Sequence, residues 1–310
     1  MECVYDYNEL RADTARPRIV TIGNFDGVHL GHQAVLAKAR RDARRHGVEL
    51  AVLTFEPHPA ELLKPSGPRL RLVEPERKAE LLAECGADLL LAQRFDREFA
   101  ELSAERFTAD VLVRSLGATE VIVGENFRFG RGRVGDVDAL REFGKAMDFQ
   151  VRGEQLVRSR KADISSSRIR QLLQLGNPAV AGILLGRPHE IPGTVMPGRK
   201  EGRNLGFPTI NLGDVRVLVP GPGIYAAFCD IEDDTVMAAA YIGDRPTMGH
   251  GFSIEAHLLD YDNDLYGQRV VLRFIERVRE DMKFANLDQL KEQMSRDVDL
   301  IHEILENIRD

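Results

Sequence analysis

Residues Thr21 to Gln33 read TIGNFDGVHLGHQ, and their types and spacing suit the handling of phosphate. Gly23, Gly27 and Gly31 let backbone come close to a ligand. His29 and His32 stand three apart, one helical turn, at the amino end of an expected helix. The free N–H groups and positive dipole end of that helix make an anion site. Two imidazoles beside it can donate to phosphate oxygens and to the charge growing on a leaving pyrophosphate, which is electrostatic stabilisation and not nucleophilic catalysis. A bare His-x-x-His equally suits a surface or core pair, and zinc needs a further ligand that no neighbour in the sequence supplies.

Two other stretches carry similar chemistry. In ISSSRIR, Ile164 to Arg170, a serine-rich helix start (Ser165, Ser166) is followed by Arg168 and Arg170; it suits a second phosphate site, or an ordinary N-cap with two exposed arginines. In GTVMPGRKEGRNLGFPTINL, Gly193 to Leu212, the glycines 193, 198, 202 and 206 suit a loop folded over phosphates, and also suit plain barrel strand ends. Thr209 and Asn211 are two apart, so on a strand they share a face and can offer two neutral oxygens to a magnesium ion already held by ATP phosphates. No GxxxxGK[ST] loop occurs. Glu255, in SIEAHLLD, stands either on the solvent face of an alternating strand or where a base for a hydroxyl is needed.

The elements that must position these groups change character once along the chain. In the first half, compact apolar runs (Ile19 to Gly23, Glu49 to Phe55, Asp88 to Ala92, Thr119 to Gly124, Gln150 to Val157) alternate with helical spacing over His32 to His46, Pro75 to Cys85, a stretch opened by Ser103, and Val137 to Met147. A basic helix opened by the serines at 165 to 167 follows. This predicts a doubly wound α/β domain with a parallel sheet covered on both faces. From His189 to Arg279, about six short alternating runs punctuated by Gly, Pro, Asn and Asp predict a small antiparallel barrel. Leu290, Met294, Val298, Ile301, Leu305 and Ile308 then share one face of a terminal helix, with Asn286 and Gln289 as a capping box, expected to close the barrel's open side. The grammar switches around Gly182 to Gly186 with no long linker, which divides the chain into domains 1–185 and 186–310.

Composition bounds the partners. The 310 residues suffice for two cores, and 43% hydrophobic with 29% charged residues is ordinary for a globular chain. The amino terminus has scattered acids and no apolar run, so a cytoplasmic protein without a membrane span is expected. The three cysteines (Cys3, Cys85, Cys229) suit reduced thiols. The formal charge of −7 argues against a general nucleic-acid binder. From Gln150 to Ile210, however, ten Lys/Arg face four Asp/Glu, which suits a small polyanion such as a nucleotide or a plain solvated stretch.

Gly-x-Phe-Asp-Gly-x-His-x-Gly-His is the pattern of the nucleotidyltransferases that make FAD in bacteria, and Gly23, Phe25, Asp26, Gly27, His29, Gly31 and His32 resemble it without a gap. In the same order, TFEPHP (Thr54 to Pro59) is similar to that family's second loop and GENFRFGRGRVGD (Gly124 to Asp136) to its flavin-side loop. ISSSRIR resembles its ATP-phosphate segment, with Ser167 in place of the usual Thr. Glu125 stands where Asp or a neighbouring polar residue is commoner. The core Gly-Arg-x-Leu-Gly-Phe-Pro-Thr-x-Asn ending at Asn211 resembles riboflavin kinases, as do IGDRPTMG (Ile242 to Gly249) and LLDYDNDLYG (Leu258 to Gly267). Met196, Pro197, Glu201 and His189 depart from that pattern.

With both motif sets in order from about Arg18 to about Leu305, the chain resembles the prokaryotic bifunctional riboflavin kinase and FAD synthetase family. The resemblance implies that the barrel phosphorylates riboflavin with Mg-ATP, Thr209 and Asn211 holding the metal–nucleotide and Glu255 taking the proton. It implies that the α/β domain joins FMN to a second ATP, forming FAD at the two histidines. Gly23, Phe25, Asp26, Gly27, Gly31, Ser165, Ser166 and Arg168 would then bind ATP there, with Gly193, Gly198 and Gly206 in the barrel. Pro57, His58, Asn126 and Arg128 would face the flavin, a substrate and not a redox cofactor. The rivals are a kinase whose other half is inactive or acts on another phosphate ester, and a flavin-binding regulator.

Overall fold

The computed structural model describes residues 1–10, 16–63, 71–154, 158–159, 162–198, 206–244 and 252–309. They form two compact units, Met1–Pro68 with Val73–Ser165, and Arg69–Leu72 with Ser166–Asp310.

The apolar runs of the first unit become a six-stranded parallel sheet: β1 (Glu2–Val4), β2 (Arg18–Ile22), β3 (Glu49–Glu56), β4 (Leu89–Arg94), β5 (Ala118–Gly124) and β6 (Gln150–Glu154), in the order β1-β4-β3-β2-β5-β6. All five residues of β2 are buried, as a strand covered on both faces requires. Val20 and Ile22 pack on one side with Phe107, Val111 and Leu112. Ile19 and Leu50 pack on the other with Ala39 and Ala43 of the helix Leu30–His46. That helix ends as expected at Gly47, at φ 67°, whose N–H closes on the carbonyls of Ala43 and Arg44. Ser103 does cap, its Oγ accepting from the Arg106 N–H at 3.1 Å, but the helix continues as a π-helix over Phe107–Ser115. Side-chain spacing carries no signal for that winding.

After the short hairpin β7 (Arg158–Ser159) and β8 (Ala162–Asp163), the second unit begins with helices Ser166–Gln174 and Pro178–Leu185. The stretch read as a domain switch at 182–186 is thus the end of a helix. Its sequence, PAVAGILL, is apolar all round and has no period to read. These helices pack in the barrel unit: the Gly221 N–H donates to the Leu173 carbonyl at 2.9 Å, and Leu184 and Leu185 are buried.

The barrel closes through β9 (His189–Met196), β10 (Thr209–Gly213), β11 (Gly223–Ile231), β12 (Asp234–Asp244), β13 (Phe252–Leu258) and β14 (Arg269–Arg279), in the order β10-β13-β12-β11-β14-β9, all antiparallel. Alternation sends Ala238, Ala240, Ile242, Ile254, Ala256 and Leu258 inward against Tyr225, Cys229 and Phe274. Burial pushes both the Tyr225 phenol and the Cys229 thiol up to about 12.

Because β9 pairs with both β10 and β14, the barrel needs no helix to shut it. The terminal helix Leu287–Arg309 instead covers the outer wall, with Ile301 and Leu305 against Ala226, Phe228 and Met237. It is tied there by Arg279, whose Nη2 and Nε reach Asp297 Oδ2 at 2.7 and 2.9 Å. Asn286 caps the Gln289 N–H at 2.9 Å, while the Gln289 amide oxygen accepts from Ala285 and not from the cap itself. Ile308, placed on the apolar face by its spacing, is exposed.

Candidate active sites

The order of the parallel sheet sets neighbouring strand ends together. The chain runs outward from β2 through β3 to β4 and then crosses to β5, so the topological switch lies between β2 and β5. Ile22 pairs with Leu53 on one side and Val123 on the other. The three expected loops, after β3, β2 and β5, therefore leave adjacent carboxyl ends.

After β2, Gly23 still pairs with the Leu53 carbonyl at 3.1 Å, and the chain turns through Phe25 (φ 47°), Gly27 (φ 82°) and Val28 (φ 39°). Left-handed backbone costs a β-branched residue such as valine roughly 1–3 kcal/mol. Both Phe25 and Val28 are nearly fully buried, which is worth about 1.5–3 kcal/mol each, so packing holds the turn against its strain. The Thr54 hydroxyl, donating to the Asn24 carbonyl at 3.1 Å, pins it to β3.

His29 is the N-cap of the following helix. Its Nδ1 accepts from the His32 N–H at 3.3 Å, so a neutral ring keeps its proton on Nε2. The His29 and His32 rings stack with centroids 3.6 Å apart at 14°, and Phe25 meets His32 edge-on at 5.1 Å. Burial, then the neighbouring His29, then Lys78, hold His32 well below the usual histidine range; it is a neutral donor at pH 7. Its Nδ1 is buried with no hydrogen-bond partner among the described residues. Gly31 leaves room here: a Cβ would lie 3.1 Å from the His29 ring, which would have to give by a few tenths of an ångström, and 3.5 Å from the Ile164 carbonyl. Asp26 is buried beside this turn, and Ser165 follows Ile164 directly.

The loop after β3 carries a cis Glu56–Pro57 bond, an exposed Pro57 and a half-buried His58 whose carbonyl starts a short helix at Glu61. Sequence reasoning missed the buried Lys78, whose Nζ lies 2.8 Å from Glu56 Oε2. The two are 22 positions apart, and no local pattern links them. After β5, Asn126 and Arg128 are exposed; Arg128 reaches Asp136 at 3.3 Å. The Ala139 N–H, with help from Arg128, holds that carboxyl below its usual range. Ser166 and Arg168 lie on the helix Ser166–Gln174 of the second unit, both half-buried.

In the barrel, register assembles the second site on the outer face. Asn211 stands opposite Glu255, Thr209 opposite His257, and Glu255 opposite Tyr241. The Thr209 hydroxyl donates to Glu255 Oε2 at 3.5 Å and the Ser253 hydroxyl to Oε1 at 3.0 Å. Ser253 was not singled out in the sequence, although its position two before Glu255 on an alternating strand puts it on the same face. The turn after β9 presses on this face: a Cβ on Gly198 would fall 2.2 Å from Asn211 Nδ2. Gly193 is tight against the Gly213 carbonyl, and Gly206 is exposed at φ 91°. Gly202, Glu201 and the 245–249 part of IGDRPTMG lie outside the described residues.

A FAD synthetase family model matches residues 11–168 and a riboflavin kinase model residues 185–305. Over 281 residues, 90% of each chain, the protein is 40% identical to a bifunctional riboflavin kinase/FMN adenylyltransferase of Escherichia coli (strain K12). It is 39% identical over 96% of each chain to one from Pseudomonas fluorescens. A solved structure described as a macrolide-efflux protein from Streptococcus pneumoniae superposes with a TM-score of 0.88 at 30% identity, covering 97% of this chain and 98% of that one. Among the described residues no helix is long and apolar enough to cross a membrane. With both models matched in order and two such relatives 39–40% identical over at least 90% of the chain, this chain belongs to the bifunctional riboflavin kinase/FMN adenylyltransferase family.

Proposed function

We propose that the chain makes FAD from riboflavin in two ATP-dependent steps, one in each of the expected domains, 1–185 and 186–310. In the barrel the riboflavin 5′-hydroxyl oxygen attacks the γ-phosphorus of ATP. The bond to the bridging oxygen breaks, ADP leaves, and Glu255 takes the hydroxyl proton. In the α/β unit an FMN phosphate oxygen attacks the α-phosphorus of a second ATP, and pyrophosphate leaves. His29 and His32 act there as hydrogen-bond donors to the developing charge, so no covalent enzyme intermediate is needed.

The observation that carries this reading is the outer-face register of β10 and β13, which groups Thr209, Asn211 and Glu255 within one unit, while the stacked imidazoles belong to the other. Two neutral oxygens with a carboxylate alongside are hard donors of the kind Mg²⁺ accepts together with nucleotide phosphates. Thr209 and Asn211 would hold that ion, which supplies charge neutralisation on the phosphates when bound. In the expected domain 1–185, Gly23, Phe25, Asp26, Gly27, Gly31, Ser165, Ser166 and Arg168 bind ATP; Gly193, Gly198 and Gly206 do so in the barrel. Pro57, His58, Asn126 and Arg128 face the flavin. The partners are small molecules, with no nucleic acid and no membrane, and the location is cytoplasmic.

Incubation with riboflavin, Mg²⁺ and ATP, followed by chromatography of the flavins, tests the proposal. FMN and then FAD are expected. FMN alone would contradict the adenylyltransferase step, and neither product would point to a flavin-binding regulator.

A further inference from the structure

Glu255 extends from β13 on a side chain with three rotatable bonds, and a proton acceptor must face one hydroxyl in one orientation. Two hydroxyl donors meet its carboxylate from different strands. Ser253 lies two residues earlier on β13, on the same outward face, with Oγ 3.0 Å from Oε1. Thr209, on β10, reaches Oε2 at 3.5 Å, the long limit of a hydrogen bond. Ser253 thus supplies the shorter of these two restraints. It is itself only 7% exposed, so its hydroxyl is poorly placed to trade the carboxylate for water. The neighbours Ile254 and Ala256 point inward and are buried, which anchors the backbone between the two polar residues.

We infer that Ser253 is a positioning residue for phosphoryl transfer. Its hydroxyl fixes one carboxylate oxygen of Glu255 and leaves the oxygen on the Thr209 side to take the substrate proton. The inference rests on the reading of Glu255 as the base. It concerns how that base is aimed and assigns Ser253 no contact with either substrate. Glu255 is only half-buried, so burial alone does not set the orientation of its carboxylate, and the strand-borne hydrogen bond from Ser253 contributes to it.

The test is steady-state riboflavin phosphorylation by the full chain carrying Ser253→Ala, Ser253→Thr, Glu255→Gln, or Ser253→Ala with Glu255→Gln. Adenylylation of supplied FMN on each preparation reports an intact α/β unit, and near-parental KM values for ATP and riboflavin report an intact barrel. A lost hydrogen bond to a charged group predicts that Ser253→Ala lowers kcat about 5- to 30-fold. The KM values for ATP and riboflavin should stay within about twofold, as for an interaction that orients a base and does not bind substrate. Ser253→Thr, which keeps the hydroxyl, should restore most of the rate. In the Glu255→Gln background Ser253→Ala should cost nothing further, since it acts through that carboxylate.

Three results would overturn the inference: Ser253→Ala within twofold of the parent; a raised KM with unchanged kcat; or the same fold-loss with and without Glu255. Retention of full turnover by Glu255→Gln would instead remove the base itself, and the two failures are told apart because each variant is measured alone. If Ser253→Ala lost adenylylation as well as phosphorylation, a structural role would replace the positioning one.

Discussion

In the α/β unit the reactive groups hang on a turn held against its own backbone preferences; in the barrel they stand on regular strand. The imidazoles of His29 and His32 come together because Phe25 and Val28 are forced to positive φ, Gly31 leaves room for a ring, and the helix starts at His29. Thr209, Asn211, Ser253 and Glu255 come together because two antiparallel strands are in the right register and alternate in the ordinary way. The first site offers two stacked imidazoles with little exposure, which on the proposed roles donate to charge that builds on a leaving pyrophosphate. The second offers hydroxyl and amide oxygens and a carboxylate, suited to cations and to a departing proton. On the proposed roles, one co-substrate, ATP, would meet donors at one site and oxygens at the other.

The largest expected effect falls on the donors. His29→Ala or His32→Ala should slow adenylylation of supplied FMN by on the order of 10²-fold, as for loss of a hydrogen bond aimed at transition-state charge, with riboflavin phosphorylation nearly unchanged. Stopped assays of both reactions on one preparation check this. Equal loss of both would mean misfolding, and full retention would take the imidazoles out of the site.

A second effect concerns where the barrel unit begins. Helices Ser166–Gln174 and Pro178–Leu185 pack within it, and a Cβ at Gly176 would strike Arg277 and the Tyr225 hydroxyl. A fragment from Ser166 to Asp310 should therefore melt at least about 5 °C higher than one from Leu185, by thermal denaturation of each. Equal midpoints would place the independent folding unit at 186, where the sequence pattern changes.

The smallest effect is a pH dependence confined to the first site. Burial keeps folded His32 neutral well below the usual range, whereas in the unfolded chain it takes a proton near pH 6.5. On acidification through that value the unfolded state binds the extra proton, so stability should fall below about pH 6.5. His32→Gln should flatten that slope in denaturant titrations from pH 7.5 to 5.5. An unchanged slope would locate the acid sensitivity elsewhere.

Much of both sites was legible, for identifiable reasons. Strand runs and Gly47 marked the α/β elements because a parallel sheet buries continuous apolar runs and a left-handed C-cap favours glycine. The face shared by Thr209 and Asn211 followed from the two-residue period of strands. What sequence could not carry is long-range or conformational. The Glu56–Lys78 pair, the meeting of Thr209 with Glu255 and the positive φ of Val28 have no local signature, whereas the two-residue period already set Ser253 on the face of Glu255. The helix 178–185 was hidden by its uniform apolarity, and the place of the terminal helix depended on β9 closing the barrel unaided.

The division of labour between these two surfaces is tested most directly by Glu255→Gln in the full chain, assayed for riboflavin to FMN and for supplied FMN to FAD on one preparation. The substitution keeps size and removes the proton acceptor, so phosphorylation turnover should fall by at least about 10²-fold while adenylylation stays within about twofold. A well-folded variant that lost adenylylation, or kept phosphorylation at the parent rate, would contradict the account.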